Sequence, residues 1–121
     1  MNEIIRAIKN RRSHRKYKPE PLGEAELQAI VETAIYAPSA MNQQRWHFTV
    51  ISNKDVMDKM MNILRENLLN SEIEMLANRA REPGFNAFHH APAAVIITAE
   101  ENARFTEIDC GAAAQNIALA A

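Results

Sequence analysis

Apolar positions recur along this chain at two distinct periods, and the changes between them mark out the elements. Ile4, Ile5 and Ile8 share one face of the first ten residues, with Glu3, Arg6 and Lys9 opposite, which predicts a short helix over Met1–Asn10. Pro19 and Pro21 stand two residues apart and exclude helix, so this stretch is expected to be extended. Leu27, Ile30, Val31, Ala34 and Ile35 then return at i, i+3, i+4, i+7 and i+8. That spacing predicts an amphipathic helix from about Glu24 to Tyr36, ended by Pro38. From Trp46 the period drops to two: Trp46, Phe48 and Val50 alternate with His47, Thr49 and Ile51, a strand expected to be buried on both faces near its end.

Ser52-Asn53-Lys54-Asp55 reads as a capping-box-like start to the next helix, whose apolar positions include Val56, Met57, Met60, Met61, Leu64 and Leu68. Ser71-Glu72-Ile73-Glu74 repeats the pattern and predicts a break or restart, and Arg81-Glu82-Pro83-Gly84 ends the helical stretch. Phe85–Pro92 is expected to loop, and Ala93–Ala99 is a continuous apolar run of the kind that forms central strands. Thr106-Glu107-Ile108-Asp109 signals a last helix carrying Ile108, Ala112, Gln115 and Leu119 on one stripe. Two strands among four or five helices, with no tight hairpin between the strands, predict a mixed α/β layer rather than a bundle.

At 121 residues the chain is expected to be one domain, able to bury a core without a wide margin. A net charge of −1 implies no general attraction to nucleic acid or acidic membrane, so any basic function has to be local. The local excess is Arg11-Arg12-Ser13-His14-Arg15. Guanidinium forks reach phosphate oxygens bidentately, and a serine hydroxyl or backbone N–H supplies further donors, so the cluster suits an anion. A second polar stretch, Pro38-Ser39-Ala40-Met41-Asn42-Gln43-Gln44-Arg45-Trp46, lies one helix further on. Two loops flanking one helix can face a single ligand, and the Asn42 and Gln44 amides offer donor and acceptor to a heteroaromatic edge. With only three glycines and no Gly-rich motif, arginine side chains would have to hold any phosphate.

Other candidates read as structure. Met41, Met57, Met60, Met61 and Met75 are expected to fill the core. His89 and His90, neighbours on an extended segment, would point apart, and no metal site is expected. His14 and His47 are isolated. Cys110, the only cysteine, is expected to be a buried structural thiol, with a reducing, cytosolic setting. Trp46 reads as a core aromatic at a strand start. No run approaches a membrane span, and the charged, amphipathic start is not a signal peptide. The apolar run Ala112–Ala121 stops without a cap, as though cut in mid-structure.

Taken together, the pieces resemble the flavin-dependent nitroreductase family. The ordered set is Arg11-Arg12-Ser13-His14-Arg15-Lys16-Tyr17, an amphipathic helix, Ala37-Pro38-Ser39-Ala40-Met41-Asn42-Gln43-Gln44-Arg45-Trp46-His47-Phe48, then Ala91-Pro92 before a hydrophobic strand. Asp109-Cys110-Gly111-Ala112-Ala113-Ala114-Gln115-Asn116-Ile117 completes it, similar to the family's central helix. The resemblance implies an α+β fold: a nitroreductase-like three-layer α/β/α arrangement with a central mixed sheet, forming an intertwined homodimer with FMN at the interface. It implies that residues 1–121 are one nitroreductase-like domain whose C-terminal part is absent. Arg11, Arg12, Ser13 and Arg15 match positions that hold the FMN phosphate and ribityl chain. Pro38, Ser39, Ala40 and Asn42 match the stretch that covers the flavin from the other subunit, with Gln44 close by. Asn86 carries no assignment, because its spacing to Ala91-Pro92 is irregular. The Asp109 helix is expected to pack in the dimer core, and no residue stands out as a catalytic acid or base.

The activity implied is NAD(P)H oxidation coupled to reduction of nitroaromatics, quinones or similar small acceptors, by ping-pong hydride transfer through flavin N5 in the cytoplasm. The alternatives are another flavin reaction on the same scaffold, such as dehalogenation or dehydrogenation, and a non-catalytic dimerising or anion-binding remnant. Neither a nucleic-acid nor a membrane partner is expected. One departure is local: Arg45 stands where the family usually has proline before the tryptophan. The other is length, since family chains run well beyond residue 121.

Overall fold

Asn2 opens the first helix: its Oδ1 accepts the Ile5 amide N–H at 2.9 Å, satisfying a donor that a helix start leaves free. The computed structural model describes residues 1–121. In chain order it contains α1 (Glu3–Asn10), α2 (Glu24–Ile35), a 3-10 turn at Ala40–Asn42, β1 (Trp46–Ile51), α3 (Lys54–Leu69), α4 (Glu74–Arg81), β2 (Ala94–Ala99) and α5 (Thr106–Ala120). The two strands pair with each other, which makes the protein α+β with a two-stranded sheet. The residues divide into two compact units, one of Met1–Ser13, Leu22–Val50 and Val95–Ala121, the other of His14–Pro21 and Ile51–Ala94.

The first unit is built on alanine. Ala34 of α2 and Ala113 of α5 have no exposed area, and Ala37 joins them. Methyl-sized side chains at a helix crossing let the two backbones come close, since interaxial distance follows the residues at the contact. Trp46, Phe48, Ala112 and Ile117 pack around this centre. Trp46 and Phe48, two residues apart on β1, share a strand face with ring centroids 5.5 Å apart. Asn116 of α5 donates from Nδ2 to the Thr33 carbonyl at 3.0 Å, satisfying an acceptor in the last turn of α2.

The second unit packs α3 on α4. Met57 and Met61 are buried on α3, and Ala77 and Ala80 on α4. Asn53 caps α3 by accepting the Val56 N–H, and the Arg65 guanidinium reaches the Ala80 carbonyl at 3.0 Å from α3. The chain between Leu69 and Glu74 breaks the helix where the sequence predicted a restart.

Several expectations are corrected. The buried face of α5 carries Asp109 and Ala113, with Asn116 and Ile117 half-buried, while Ile108 is 70% exposed and Gln115 is exposed. Close approach to Ala34 favours alanine over isoleucine at that seam, and the two polar residues are tolerated because each has a backbone partner. Ile35 and Val50 are exposed, so the buried stripe of α2 ends at Ala34 and β1 is not covered on both faces. Met41 and Met75 lie outside the core, at 81% and 70% exposure. Neither Ser71 nor Thr106 is an N-cap: Ile73 and Phe105 hold those positions, Phe105 in the left-handed region at φ 65°. His89 and His90 are not extended but left-handed, with φ of 51° and 57°. Cys110 is half-buried rather than buried. On α1 no residue is buried, and Ile4, Ile5 and Ile8 are exposed.

Candidate functional site

The guanidinium cluster begins where α1 stops. The Arg11 backbone N–H bonds the Ala7 carbonyl at 3.0 Å, so Arg11 closes the helix with its main chain and leaves its half-buried side chain free. Arg12 is used differently. Its Nη1 donates to the Lys9 and Arg11 carbonyls at 2.8 and 2.9 Å, covering acceptors that the helix end would otherwise leave to water. Ser13 follows, exposed.

Arg15 belongs to the second unit, where it lines a cavity of about 570 Å³. Lys16, Arg79, His89 and His90 also line it, against a single carboxylate, Glu82, and Tyr17 and Phe85 supply aromatic surface. Asn86 organises the cavity's far wall: its Oδ1 accepts the Phe88 and His90 N–H groups at 2.9 and 3.3 Å. Such an Asx turn is what places the left-handed histidines. A smaller cavity of about 370 Å³ in the same unit lies between Pro19, Pro21, Met57, Phe88 and Pro92.

The loop Pro38–Gln44 lies in the first unit and is unusual in its backbone. Met41, Asn42 and Gln44 all sit at φ of 52–53°, a region costly for residues other than glycine. Asparagine tolerates it best. The loop is knotted internally: the Asn42 and Gln43 N–H groups bond the Ser39 and Ala40 carbonyls, and the Gln44 N–H bonds Ser39 Oγ at 3.0 Å. Gln44 Nε2 donates to Asn42 Oδ1 at 2.9 Å. Asn42 Nδ2 and Gln44 Oε1 are left as an adjacent donor and acceptor. Asp109 of α5 reaches the loop from outside, its Oδ1 accepting the Ala40 N–H at 3.0 Å. At the loop's exit Arg45 pairs with Glu100 at 3.1 Å, which offsets the charge that arginine brings there.

The structure thus keeps Ser39, Ala40, Asn42 and Gln44 in one hydrogen-bonded loop with Pro38 at its head. It separates Arg15 from Arg11, Arg12 and Ser13 by unit. Asp109 is the residue that sequence reasoning set aside. The available signal was its spacing from Ala113 and Asn116, which places all three on one helical face. Its neighbour Cys110 has a thiol pushed up from the ordinary range, first by burial and then by the Asp109 charge. Less thiolate at a given pH means slower alkylation. Cys110 is therefore expected to react with iodoacetamide more slowly than a free cysteine peptide at pH 7.5, and the gap should close as pH rises; mass spectrometry over time measures both.

A profile of the Nitroreductase family matches residues 8–121. Among solved structures, the fold matches a Bacteroides fragilis nitroreductase with bound FMN at a TM-score of 0.93 and 32% identity, over 99% of this chain and 64% of that one. It also matches a Desulfitobacterium hafniense nitroreductase with bound FMN, at a TM-score of 0.85 and 37% identity, again over 99% and 64%. A Methanothermobacter thermautotrophicus protein provisionally named an NADH dehydrogenase/NAD(P)H nitroreductase is 29% identical across 98% of this chain, which spans 55% of that relative's length. The fold is of the nitroreductase type. The chain belongs to the nitroreductase family.

Proposed function

We propose that this protein is an FMN-dependent NAD(P)H oxidoreductase that reduces nitroaromatics, quinones or similar small electron acceptors. The observation that carries the reading is the left-handed loop Pro38–Gln44, which keeps an amide donor and an amide acceptor free side by side on Asn42 and Gln44. The isoalloxazine edge alternates acceptors and donors, so this pair fits it. The guanidinium groups after α1 fit the other end of the cofactor, a phosphate.

In this reading Arg11, Arg12, Ser13 and Arg15 hold the phosphate and ribityl chain. Pro38, Ser39, Ala40, Asn42 and Gln44 cover the ring. When bound, FMN would supply the redox chemistry, a ping-pong hydride transfer between NAD(P)H and the acceptor. The chain itself binds, orients and shields: the loop fixes the ring's edge and the guanidinium groups neutralise the phosphate. No side chain is assigned as a catalytic acid or base. We take residues 1–121 to be part of one nitroreductase-like domain acting as a homodimer in the cytoplasm. The exposed Ile4, Ile5, Ile8 and Ile35 support association, and the unpaired Cys110 supports the compartment. No helix is long and apolar enough to cross a membrane.

The test is the visible absorption spectrum of the purified protein, recorded together with its mass in solution. A flavin band co-eluting with a dimer, and NAD(P)H turnover with a quinone, is the expected result. Protein that stays colourless after FMN is added would overturn the enzymatic reading and favour the non-catalytic one.

A further inference from the structure

Asp109 is the buried charged residue of the structure, at 6% exposure. A carboxylate in such a place is costly unless hydrogen bonds replace water, and the alanine-lined seam beside it would accept an apolar residue at no such cost. Its partner is the Ala40 N–H. We propose that Asp109 is a positioning residue for the flavin-covering loop, its carboxylate fixing the Ala40 amide and, through it, the left-handed backbone of Met41, Asn42 and Gln44. The inference rests on the FMN reading above and adds a residue to it.

The hydrogen bonds within Ser39–Gln44 set the loop's internal shape but cannot set where the loop sits. The Asp109 bond, spanning 69 positions of sequence, is the hydrogen bond that ties it to another element. Three non-glycine residues in the left-handed region persist only where their surroundings over-determine them. The anchor is itself held firmly. Ala113, one turn on, is packed against Ala34 in the buried seam between α5 and α2. The first turn of α5 also favours a negative charge, because its free N–H groups point toward the helix start. A rigid helix therefore presents a fixed acceptor to a strained loop. Asn42 and Gln44, which carry the free donor and acceptor, lie two and four residues beyond the anchored amide.

Asp109→Ala, Asp109→Asn and Asn116→Ala test this in the full chain. FMN affinity is read by flavin fluorescence, the Ala40 amide by NMR shift and hydrogen exchange, and stability by thermal unfolding. Asp109→Ala is expected to speed Ala40 exchange, shift the amides of Met41 to Gln44 and weaken FMN binding by about tenfold. Asp109→Asn keeps an acceptor without the charge. Its Ala40 proton should move upfield and FMN affinity should fall by less, since a neutral acceptor makes the weaker bond. Asn116→Ala removes a bond from the same helix to α2. It should lower the unfolding midpoint and leave both the Ala40 amide and FMN affinity in place.

Equal loss of FMN affinity in Asn116→Ala and Asp109→Ala would overturn the proposal, since stability alone would then explain it. So would an unchanged Ala40 amide and unchanged affinity in either Asp109 variant; the isosteric asparagine keeps this arm open should the alanine variant misfold. Wild-type protein that binds no FMN would sink the FMN reading, whereas an Ala40 amide displaced in Asp109→Ala would still uphold the anchoring.

Discussion

Replacing Arg11 and Arg15 together with alanine is expected to weaken FMN binding by about a hundredfold or more, with the far-ultraviolet circular dichroism unchanged. A hydrogen bond to a charged group contributes roughly 1.5–3 kcal/mol, so each lost guanidinium–phosphate contact is worth about tenfold or more. The fold should not register the change. Arg11 closes α1 through its backbone N–H, which alanine retains, and Arg15 is exposed on a cavity wall. Arg12→Ala provides the contrast: its guanidinium already serves two carbonyls at the end of α1, so it should cost helix stability and rather less affinity. A fluorescence titration of FMN measures all three variants, and should be run at two salt concentrations, because removing phosphate contacts flattens the salt dependence. Unchanged affinity in the double variant would mean that these arginines do not hold the phosphate.

The second large effect concerns stability. Ala113→Leu is expected to lower the thermal midpoint by roughly ten degrees, since overpacking a closed site costs about 1–3 kcal/mol and each kcal/mol shifts a small domain by about 4–8 °C. Ala113 and Ala34 are both fully buried where α2 meets α5, in a cluster already closed by Trp46, Phe48 and Ile117. Ile108→Ala, at a position 70% exposed, should change the midpoint by little. Calorimetry of the two variants side by side decides whether the seam runs where the structure puts it. A destabilised Ile108→Ala with a tolerant Ala113→Leu would return the helix to the stripe its hydrophobicity suggests.

That contrast shows how far the sequence could be read. Both strands, the helix break after Leu69 and the start of α5 were legible within a residue or two, because periods of two and of 3.6 are strong signals. The rotation of α5 was not. Hydrophobicity chose Ile108 over Asp109, whereas the packing follows size, and alanine carries almost no hydrophobic signal. The arginine cluster and the Pro38–Gln44 loop were legible as polar candidates, and their order along the chain carried the family resemblance. The left-handed backbone of that loop was not legible, because Met41 and Gln44 show no glycine-like preference for it; the conformation is imposed from α5. Likewise, His89 and His90 looked extended, until an Asx turn at Asn86 reversed them.

The bare isoleucine face of α1 has a thermodynamic consequence. Eight residues in isolation form a helix only marginally in water, and this one buries none of its own side chains in the chain that carries it. Its persistence is therefore set by whatever covers Ile4, Ile5 and Ile8. Arg11 is the residue on which that helix ends, so the placement of its guanidinium inherits the same persistence. If the chain associates over α1 and holds a phosphate after it, as proposed above, the two would be linked equilibria: a partner that orders the helix would raise affinity for the anion, and the anion would strengthen association by the same factor. Cofactor loading and assembly would then rise and fall together with protomer concentration, with α1 as the coupling element.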